Sequence, residues 1–495
     1  MNKTLSALFN KVPRKSDFNP VRTAIANSQD RPEVAIALKL FSSMPPSTAV
    51  FANPVRHRLG IPAGGTTLEI DIRSFALRGK LFEEDVVTGE ADAIRVVFVG
   101  LFDRIPDLRD ASLFEKFVLD AFETGLKKSL RTTADFMKRF PEASPDIAMQ
   151  HWGSIRKATR TLGPINTLRP PDKLLAEMIE IHMENVATAA MASYMRGLKP
   201  ADRLTGTSDF IRRAGTRDPF RLVFSLLLRR IVNDDENRIL GRLGAIQIHH
   251  GSAGSSMVAR YFASLHTRSI SDLFTASQMT LDCGRHFGAI GDMTEFVRVL
   301  ERTPASKRDD AIRDRILKGN LPTFGHPEIS AAGRDSRLEA DPRPALYLAP
   351  LFDAIDRGVV RVSPKAQKRA GLLERIYQIA LYEGIEKSPG KARLRLTPNT
   401  DFGGWLVQEI LGIEEADRTL ISYTFRGFGW MMDTREQLQQ PIIRPVIPPD
   451  PAIVPKGEDN GIIAEVIANV HARLVAGNAF RRSKQAGSVP LPLTP

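Results

Sequence analysis

The chain has 495 residues, of which 42% are hydrophobic and 25% are charged, as in a soluble globular protein of roughly two to four domains. Its 35 glycines and 33 prolines are close to average frequency, which excludes collagen-like and wholly disordered chains. The formal charge of +12 at pH 7 predicts attraction to polyanions, but without a nucleic-acid-binding motif or an apolar run of membrane-spanning length we expect neither nucleic acid nor membrane as a partner.

The N-terminal segment 1–60 lacks sustained hydrophobic periodicity, so we expect an extension or arm there. Residues 1–15 carry basic but no acidic side chains, and they lack the apolar core and cleavage site of a secretory signal. A mitochondrial presequence is an alternative, which Pro13 disfavours because it interrupts an amphipathic helix. The single cysteine, Cys283, excludes an internal disulfide and cysteine-built metal sites and suits a reducing compartment. A cytoplasmic location is therefore the default expectation.

Most of the remaining chain has the residue spacing of amphipathic helices, which predicts a mainly α fold. Apolar side chains recur at three- and four-residue intervals over 113–126 and again over 174–186. For the second of these helices, Asp172 is the expected N-cap and Gly197 the expected stop. Three further helices are predicted, at Phe220–Ile231, Leu372–Tyr382 and Ile463–Val475.

Strand patterns are few, and breaks rich in proline and glycine separate the helical segments. The strand candidates are the alternation of Leu68, Ile70 and Ile72 and the β-branched run Val359–Val362. The breaks fall at Gly163–Pro171, Gly319–Pro327 and Pro389–Pro398, with a proline-rich connector at Pro441–Pro455. Residues 481–495 are expected to form a flexible tail.

The sequence contains no phosphate-binding glycine loop, no H-E-x-x-H metal pair and no serine-hydrolase elbow. Three polar side chains instead stand beside glycine or proline at breaks between helices, where functional groups tend to collect on a rigid scaffold. They are His286 in Cys-Gly-Arg-His-Phe-Gly, His326 in Phe-Gly-His-Pro and Asp401 in Pro-Asn-Thr-Asp-Phe-Gly-Gly.

Taken in order, these segments resemble those of citrate synthases and citryl-CoA lyases, across roughly residues 65–480. His250 and the ten residues up to Arg260 are similar to the D-H-x-x-x-x-S-x-x-x-x-R stretch of that family. The other matching positions are His286 (family G-P-L-H-G-G-A), His326 and Arg343 (family G-x-G-H and D-P-R), Asp401 (family P-N-x-D), Arg426 in the following helix and Arg444 in an arginine–proline element.

The resemblance implies the two-domain helical fold of citrate synthases, with the active site in the cleft between the domains. The large domain would comprise 61–287 and 402–480, and the small domain would comprise 288–401. It also implies an acyltransferase that converts the acyl group into an alkyl group on transfer. Acetyl-CoA, or a close acyl-CoA, would condense with a 2-oxo acid such as oxaloacetate in a Claisen-type reaction that releases CoA.

The roles of the matching side chains follow from the same resemblance. Asp401 would be the base, His286 would donate a hydrogen bond to the thioester oxygen, and His326 would polarise the ketone. The residues expected to bind the 2-oxo acid are His250, Arg343 and Arg426, joined by Arg444, which in the family reaches into the partner's site within a homodimer. The CoA thioester is a substrate here, and we expect no other cofactor and no metal.

The sequence departs from the family pattern around the substrate pocket. Cys283-Gly284-Arg285 replaces Gly-Pro-Leu, and Gln247 stands where many citrate synthases carry another histidine. Pro327 follows the predicted ketone-polarising histidine, as it does in citryl-CoA lyases. Three alternatives therefore stay open: citryl-CoA cleavage, condensation with a specialised 2-oxo acid such as phosphonopyruvate, and a catalytically silent family member.

Overall fold

The computed structural model describes the strand segments 59–61, 68–70, 75–77 and 80–81 and the residues 92–102, 108–159, 171–215, 218–248, 254–265, 269–281, 288–325, 344–383, 396 and 398–439. The chain divides into two units, Met1–Pro445 and Val446–Pro495, and every described residue lies in the first. Residues 1–58 of the predicted arm, the connector Pro441–Pro455, the helix Ile463–Val475 and the tail lie outside the described residues. The division into a large and a small domain stays a prediction.

The described part of the chain is mainly α-helical, which confirms the predicted class. Its helices are α1 Asp92–Phe102, α2 Leu108–Arg139, α3 Pro145–Thr159, α4 Pro171–Arg196, α5 Arg203–Ala214, α6 Pro219–Leu228, α7 Asp234–Ile246, α8 Gly254–Ser264, α9 Ile270–Leu281, α10 Gly288–Arg302, α11 Ala305–Leu317, α12 Ala345–Asp356, α13 Pro364–Tyr377, α14 Thr400–Leu411 and α15 Arg418–Gln439. Short 3-10 turns at Pro200–Asp202 and Glu415–Asp417 and a π-helical turn at Gln378–Glu383 accompany them.

A small antiparallel sheet precedes α1 in the chain. Its strands pair in sequential order, with Leu59 opposite Ile70 and Leu68 opposite Leu77. The alternation of Leu68 and Ile70 correctly predicted the second strand, whereas the others were not predicted, and Ile72 lies outside the described residues. The strands are β1 Leu59–Ile61, β2 Leu68–Ile70, β3 Phe75–Leu77 and β4 Lys80–Leu81.

The predicted strand at Val359–Val362 is wrong, because this run begins in the turn that closes α12. Gly358 has a left-handed φ of 76°, and its amide donates to the Ile355 carbonyl at 3.0 Å. The Val359 amide donates to the Ala354 carbonyl, also at 3.0 Å. This pair of bonds is a Schellman cap, which satisfies the last carbonyls of a helix and outweighs the strand preference of β-branched residues.

Two predicted helices occur where expected but differ at their ends. Helix α6 stops at Leu228 rather than at Ile231, because Arg229 adopts a left-handed φ of 54°. Helix α13 begins at Pro364, earlier than the apolar pattern indicated, because the Ser363 hydroxyl caps it by accepting from the Ala366 amide. Proline at the first helical position has no amide hydrogen to leave unsatisfied.

Helix α4 is the centre of the fold, since every side chain over 181–195 is buried. A helix that is buried on all faces belongs to the core of a large protein. It begins at Pro171, so Asp172 lies in its first turn, and the prediction of Asp172 as the N-cap is wrong. It ends at Arg196, which confirms Gly197 as the stop.

Helix α2 packs along α4 and confirms the first periodic pattern. Phe114, Val118 and Phe122 are buried on its inner face, as the three- and four-residue spacing predicted. Leu113 is the exception, with 57% of its surface exposed. Leu113 belongs to the same three- and four-residue pattern but lies at the edge of the buried face.

Helix α15 crosses α4 at a buried histidine. Nε2 of His182 donates to the Thr424 carbonyl at 2.8 Å, and the ring stacks on Phe274 with centroids 5.4 Å apart. Burial lowers the pKa of His182 to about 4, outweighing the opposite effect of this hydrogen bond. The imidazole is therefore neutral at neutral pH, and Gly427 of α15 leaves the space that it fills.

We expect Gly427→Ala to lower the free energy of unfolding by about 2 kcal/mol or more, measured by denaturant titration. The added Cβ would stand 2.1 Å from Cε1 of the His182 ring, which is fully buried and cannot move aside. Gly371→Ala is the matched control: it lies within α13 with nothing within 4 Å of the new Cβ, so it should raise stability by about 0.5 kcal/mol. Equal stability of the two variants would contradict the proposed close contact.

Candidate active site

Asp401 and Arg426 are the predicted site residues that lie within the described part of the chain. The other predicted site residues lie outside it, and their roles stay predictions: His250, His286, His326, Arg343 and Arg444. The described residues that flank these positions are nevertheless informative. Several of them converge on one structural feature, the first turn of α14.

Asp401 stands in that first turn, and Asn399 caps the helix. Oδ1 of Asn399 accepts hydrogen bonds from the Asp401 amide at 2.9 Å and from the Phe402 amide at 3.2 Å. An N-cap side chain satisfies amides that have no partner within the helix. The carboxylate of Asp401 is thus carried on a helix end whose backbone is fixed.

The same asparagine ties the loop after α11 to α14. Its amide nitrogen Nδ2 donates to the Gly325 carbonyl at 3.1 Å, and its backbone amide donates to the Thr323 carbonyl at 3.1 Å. Between these bonds, Phe324 forms an isolated antiparallel bridge with Pro398. Gly325 directly precedes the predicted site residue His326 in the sequence.

Thr323 in this loop has a left-handed backbone conformation, with φ of 63°. Such a conformation is unfavourable for a β-branched residue and persists only where the surrounding structure holds it. The two bonds from Asn399 supply that restraint. Strained residues of this kind cluster at functional sites, which is a signal that the sequence analysis missed.

Helix α12 meets α14 on another face of the same turn. The Tyr347 hydroxyl donates to the Thr400 carbonyl at 2.8 Å. A Cβ on Gly403 would stand 2.5 Å from that hydroxyl oxygen and 3.0 Å from Cβ of Pro344. Only glycine permits this approach, and Pro344 directly follows the predicted site residue Arg343 in the sequence.

The end of α7 meets α14 at the next residue. A Cβ on Gly404 would stand 3.2 Å from Nε2 of Gln247, and Oε1 of Gln247 accepts a hydrogen bond from the Ser422 hydroxyl at 2.7 Å. Arg426 follows Ser422 by four positions on α15, so both side chains lie on one face of that helix. Only 2% of the Arg426 surface is exposed. Helices α7, α14 and α15 therefore meet beside the turn that carries Asp401.

A buried charge network fixes the rest of α14. Glu409 accepts from Arg369 of α13 at 2.8 Å and from Arg418 of α15, and Arg369 also bonds both oxygens of Glu301 in α10 at 2.8 Å each. The hydrogen bond from Arg369 lowers the pKa of Glu301. Thr294 of α10 joins the network, because its hydroxyl oxygen accepts from Arg418 at 3.0 Å.

Trp405 adds a further bond between α10 and α14. Its indole nitrogen donates to the Thr294 hydroxyl at 2.9 Å, and that hydroxyl donates in turn to the Ile290 carbonyl at 3.0 Å. The single donor and both acceptor sites of the Thr294 hydroxyl are thus used. No sequence motif predicts this network of charged and hydroxyl groups, because its members are far apart in the chain.

Two kinds of feature are absent from the described residues. They contain no group of three or more histidine, cysteine, aspartate or glutamate side chains that could hold a metal ion. Within the same residues, no helix has the length and apolar character needed to cross a bilayer. What the described site offers is a carboxylate on a capped helix end, Asp401 on α14, and a buried guanidinium, Arg426 on α15. A carboxylate can act as a base, and a guanidinium binds anionic groups.

Comparison with known proteins identifies the architecture. A family model for the citrate synthase C-terminal domain matches residues 107–446. No curated protein sequence matches the chain. Citrate synthase from the archaeon Thermoplasma acidophilum, solved as a ternary complex with carboxymethyl coenzyme A and oxaloacetate, is similar in fold, with a TM-score of 0.55, 14% identity and coverage of 78% of this chain and 92% of that chain.

Two further citrate synthase structures agree with this result. The enzyme from Thermotoga maritima has a TM-score of 0.53 at 14% identity and covers 78% of this chain and 90% of its own. The enzyme from Pyrobaculum aerophilum has a TM-score of 0.52 at 17% identity and covers 76% of this chain and 87% of its own. At such identities the likeness establishes a shared fold.

We expect Asn399→Ala to lower the free energy of unfolding by about 1 kcal/mol, through loss of the helix cap. Asn233→Ala is a closely matched control, because Asn233 caps α7 and its Nδ2 also donates to a loop carbonyl, that of Val359 at 3.0 Å. Both variants should lose similar stability, whereas hydrogen exchange at the Asp401 and Phe402 amides should accelerate only in Asn399→Ala. Unchanged exchange at those two amides would contradict the capping geometry.

Proposed function

The chain belongs to the citrate synthase family, and from that premise we propose that it is a C-acyltransferase that condenses acetyl-CoA, or a close acyl-CoA, with a 2-oxo acid such as oxaloacetate. Water would then hydrolyse the thioester of the condensed product, which releases CoA and leaves a carboxylate. The observation that carries the proposal is the convergence of described segments on the first turn of α14. That turn holds Asp401, and Gly325, Pro344 and Gln247 contact it or its cap. Each of the three stands one or a few residues from a predicted site residue.

Asp401 is the proposed base, which removes a proton from the carbon next to the thioester of the acyl-CoA. The enolate that forms needs a hydrogen-bond donor at its oxygen, and His286 is the proposed donor. A donor aimed at the developing oxyanion acts most strongly in the transition state, where the charge appears.

His326 is proposed to polarise the ketone of the 2-oxo acid and to protonate the alkoxide that carbon–carbon bond formation produces. The bond from Asn399 to the Gly325 carbonyl supports this role, because consecutive Cα atoms are about 3.8 Å apart and the preceding residue is held at the cap of the Asp401 helix.

The carboxylates of the 2-oxo acid are proposed to bind Arg343, Arg426 and His250. A guanidinium group forms paired hydrogen bonds with a planar carboxylate, which lysine does not reproduce. Burial of Arg426 on α15 supports its part, since a desolvated cation attracts an anion more strongly than an exposed one. The structure of the Thermoplasma enzyme as a ternary complex with carboxymethyl coenzyme A and oxaloacetate supports this pair of substrate classes. No further cofactor is proposed.

A second candidate is citryl-CoA cleavage, which the sequence His326-Pro327 favours. A lyase acts on a preformed citryl-CoA and has no need to hydrolyse the thioester. Release of free CoA from acetyl-CoA and oxaloacetate therefore distinguishes the two activities. A specialised 2-oxo acid such as phosphonopyruvate belongs to the same proposal and is tested in the same assay.

The deciding experiment is a thiol-release assay with a panel of 2-oxo acids, phosphonopyruvate included, against acetyl-CoA and propionyl-CoA. We expect release with at least one pair. Asp401→Asn should lower the rate by about 100-fold or more and suppress deuterium exchange at the acyl methyl group. Asp310→Asn, at a side chain that is 80% exposed on α11, is the control and should match the wild type. Undiminished deuterium exchange in Asp401→Asn would show that another group is the base.

We also propose a cytoplasmic homodimer in which Arg444 completes the site of the partner subunit. Arg444→Ala and Asp401→Asn chains, each nearly inactive alone, should then regain about a quarter of wild-type activity when folded together, because half of the dimers are mixed and each has one intact site. The control is the same mixture made from separately folded proteins before exchange. No recovery in verified mixed dimers would show that Arg444 acts within its own subunit or not at all.

A further inference from the structure

The buried side-chain amide of Gln247 stands at the junction of α7, α14 and α15. Only 3% of the Gln247 surface is exposed. Its Oε1 accepts from the Ser422 hydroxyl, whereas its Nε2 has no hydrogen-bond partner among the described residues. Leaving a buried N–H unsatisfied is unfavourable, and most buried side-chain donors are paired. The position of this donor relative to the proposed site suggests why it is retained.

The amide contacts both α14, which carries the proposed base, and α15, which carries a proposed carboxylate-binding residue. Its Nε2 is 3.2 Å from the position that a Cβ on Gly404 would occupy. Gly404 follows Asp401 by three positions in α14, and residues at that spacing share a helix face with Cβ atoms about 5–6 Å apart. On the other side, Ser422 shares a face of α15 with Arg426.

In the structure, Oε1 of Gln247 faces Ser422 and Nε2 faces α14. Because the Ser422 hydroxyl donates to Oε1, the two N–H groups of Gln247 point away from Ser422 and toward α14. The glycine at 404 leaves room for them. The result is a neutral, preorganised donor, which suits an oxygen of an anionic substrate without adding charge beside the carboxylate of Asp401.

We propose that Gln247 is a binding residue for the 2-oxo acid, with its amide N–H donating to a carboxylate or ketone oxygen of that substrate. Ser422 is then a positioning residue, because its hydroxyl bonds Oε1 and leaves Nε2 available to the substrate. This proposal rests on the condensation proposed above and deepens it by naming a further contact of the same site. It also gives a physical role to the glutamine at position 247, where many citrate synthases carry another histidine.

The test compares Gln247→Met with Gln408→Met. Methionine keeps the length of glutamine and removes its polar atoms. Gln408 is a fitting control because it is also fully buried with no partner for its amide atoms among the described residues, and it lies two turns beyond Asp401 in α14, roughly 10 Å along the axis. The readouts are KM, kcat and the midpoint of thermal unfolding.

We expect Gln247→Met to raise the KM for oxaloacetate by about 10- to 100-fold, which is the loss of one hydrogen bond to a charged group. The KM for acetyl-CoA should stay within about twofold, and the thermal midpoint should be unchanged or higher because an unsatisfied donor is removed. Gln408→Met should show the same thermal effect with an unchanged oxaloacetate KM. Ser422→Ala should raise that KM by about fivefold, with little change in kcat.

Gln247→Glu provides a second variant if the methionine variant does not fold. It keeps the acceptor for Ser422, removes the donors and places a negative charge beside the substrate, so oxaloacetate should bind at least as weakly. An unchanged oxaloacetate KM in both Gln247 variants, or an equal rise in Gln408→Met, overturns the proposal.

Calorimetry with oxaloacetate alone separates this proposal from the proposed function. If the wild type releases no thiol with any pair in the panel, the condensation is overturned, yet loss of oxaloacetate binding in Gln247→Met and not in Gln408→Met would still support the contact. Equal binding by the wild type and Gln247→Met overturns the contact alone. Failure of the wild type to bind oxaloacetate and to release thiol overturns both.

Discussion

Two adjacent glycines in the first turn of α14 set how closely its neighbours can approach. A Cβ on Gly403 would stand 2.5 Å from the Tyr347 hydroxyl, and one on Gly404 would stand 3.2 Å from Nε2 of Gln247. Successive residues of a helix point about 100° apart, so the pair opens two faces of one turn. Helix α12 occupies one face and the end of α7 the other. Since Asp401 belongs to the same turn, the packing of the core also decides what surrounds its carboxylate.

The charge network at the other end of α14 complements this close packing. A buried ion pair contributes little net stability, because desolvation of the charges offsets their attraction. It does penalise any rotation of the helix that would leave Glu409 without its two arginines, Arg369 and Arg418. The glycines therefore fix the distance between α14 and its neighbours, whereas the network fixes its rotation. Both constraints are needed to aim a short carboxylate side chain.

The fold was predictable from the sequence where burial alone determines structure. The apolar stripe over 113–126 gave α2 because one face of that helix packs on α4, and periodicity records such burial directly. Prediction failed where the local geometry of a turn or a helix end, rather than burial, decides the outcome. The β-branched run at Val359–Val362 follows a Schellman cap, and α4 starts at Pro171 rather than after Asp172. Neither outcome leaves a trace in hydrophobic spacing.

The site was predictable to the extent that its physical requirements fall on consecutive residues. The segment Pro-Asn-Thr-Asp-Phe-Gly-Gly shows this. Pro398 pairs with Phe324, two residues before His326 in the chain, and Asn399 caps the helix. Asp401 carries the charge, while Gly403 and Gly404 leave space for the neighbouring elements. Each of these positions meets a local structural requirement, so the segment can be recognised in the sequence even at 14–17% identity to the citrate synthases of known structure. The charge network and the contacts of the Gln247 amide involve residues far apart in the chain, and their arrangement exists only once the helices have packed. Short motifs therefore indicate which residues carry the proposed chemistry. The three-dimensional packing shows which residues hold them in place and which other residues contact them.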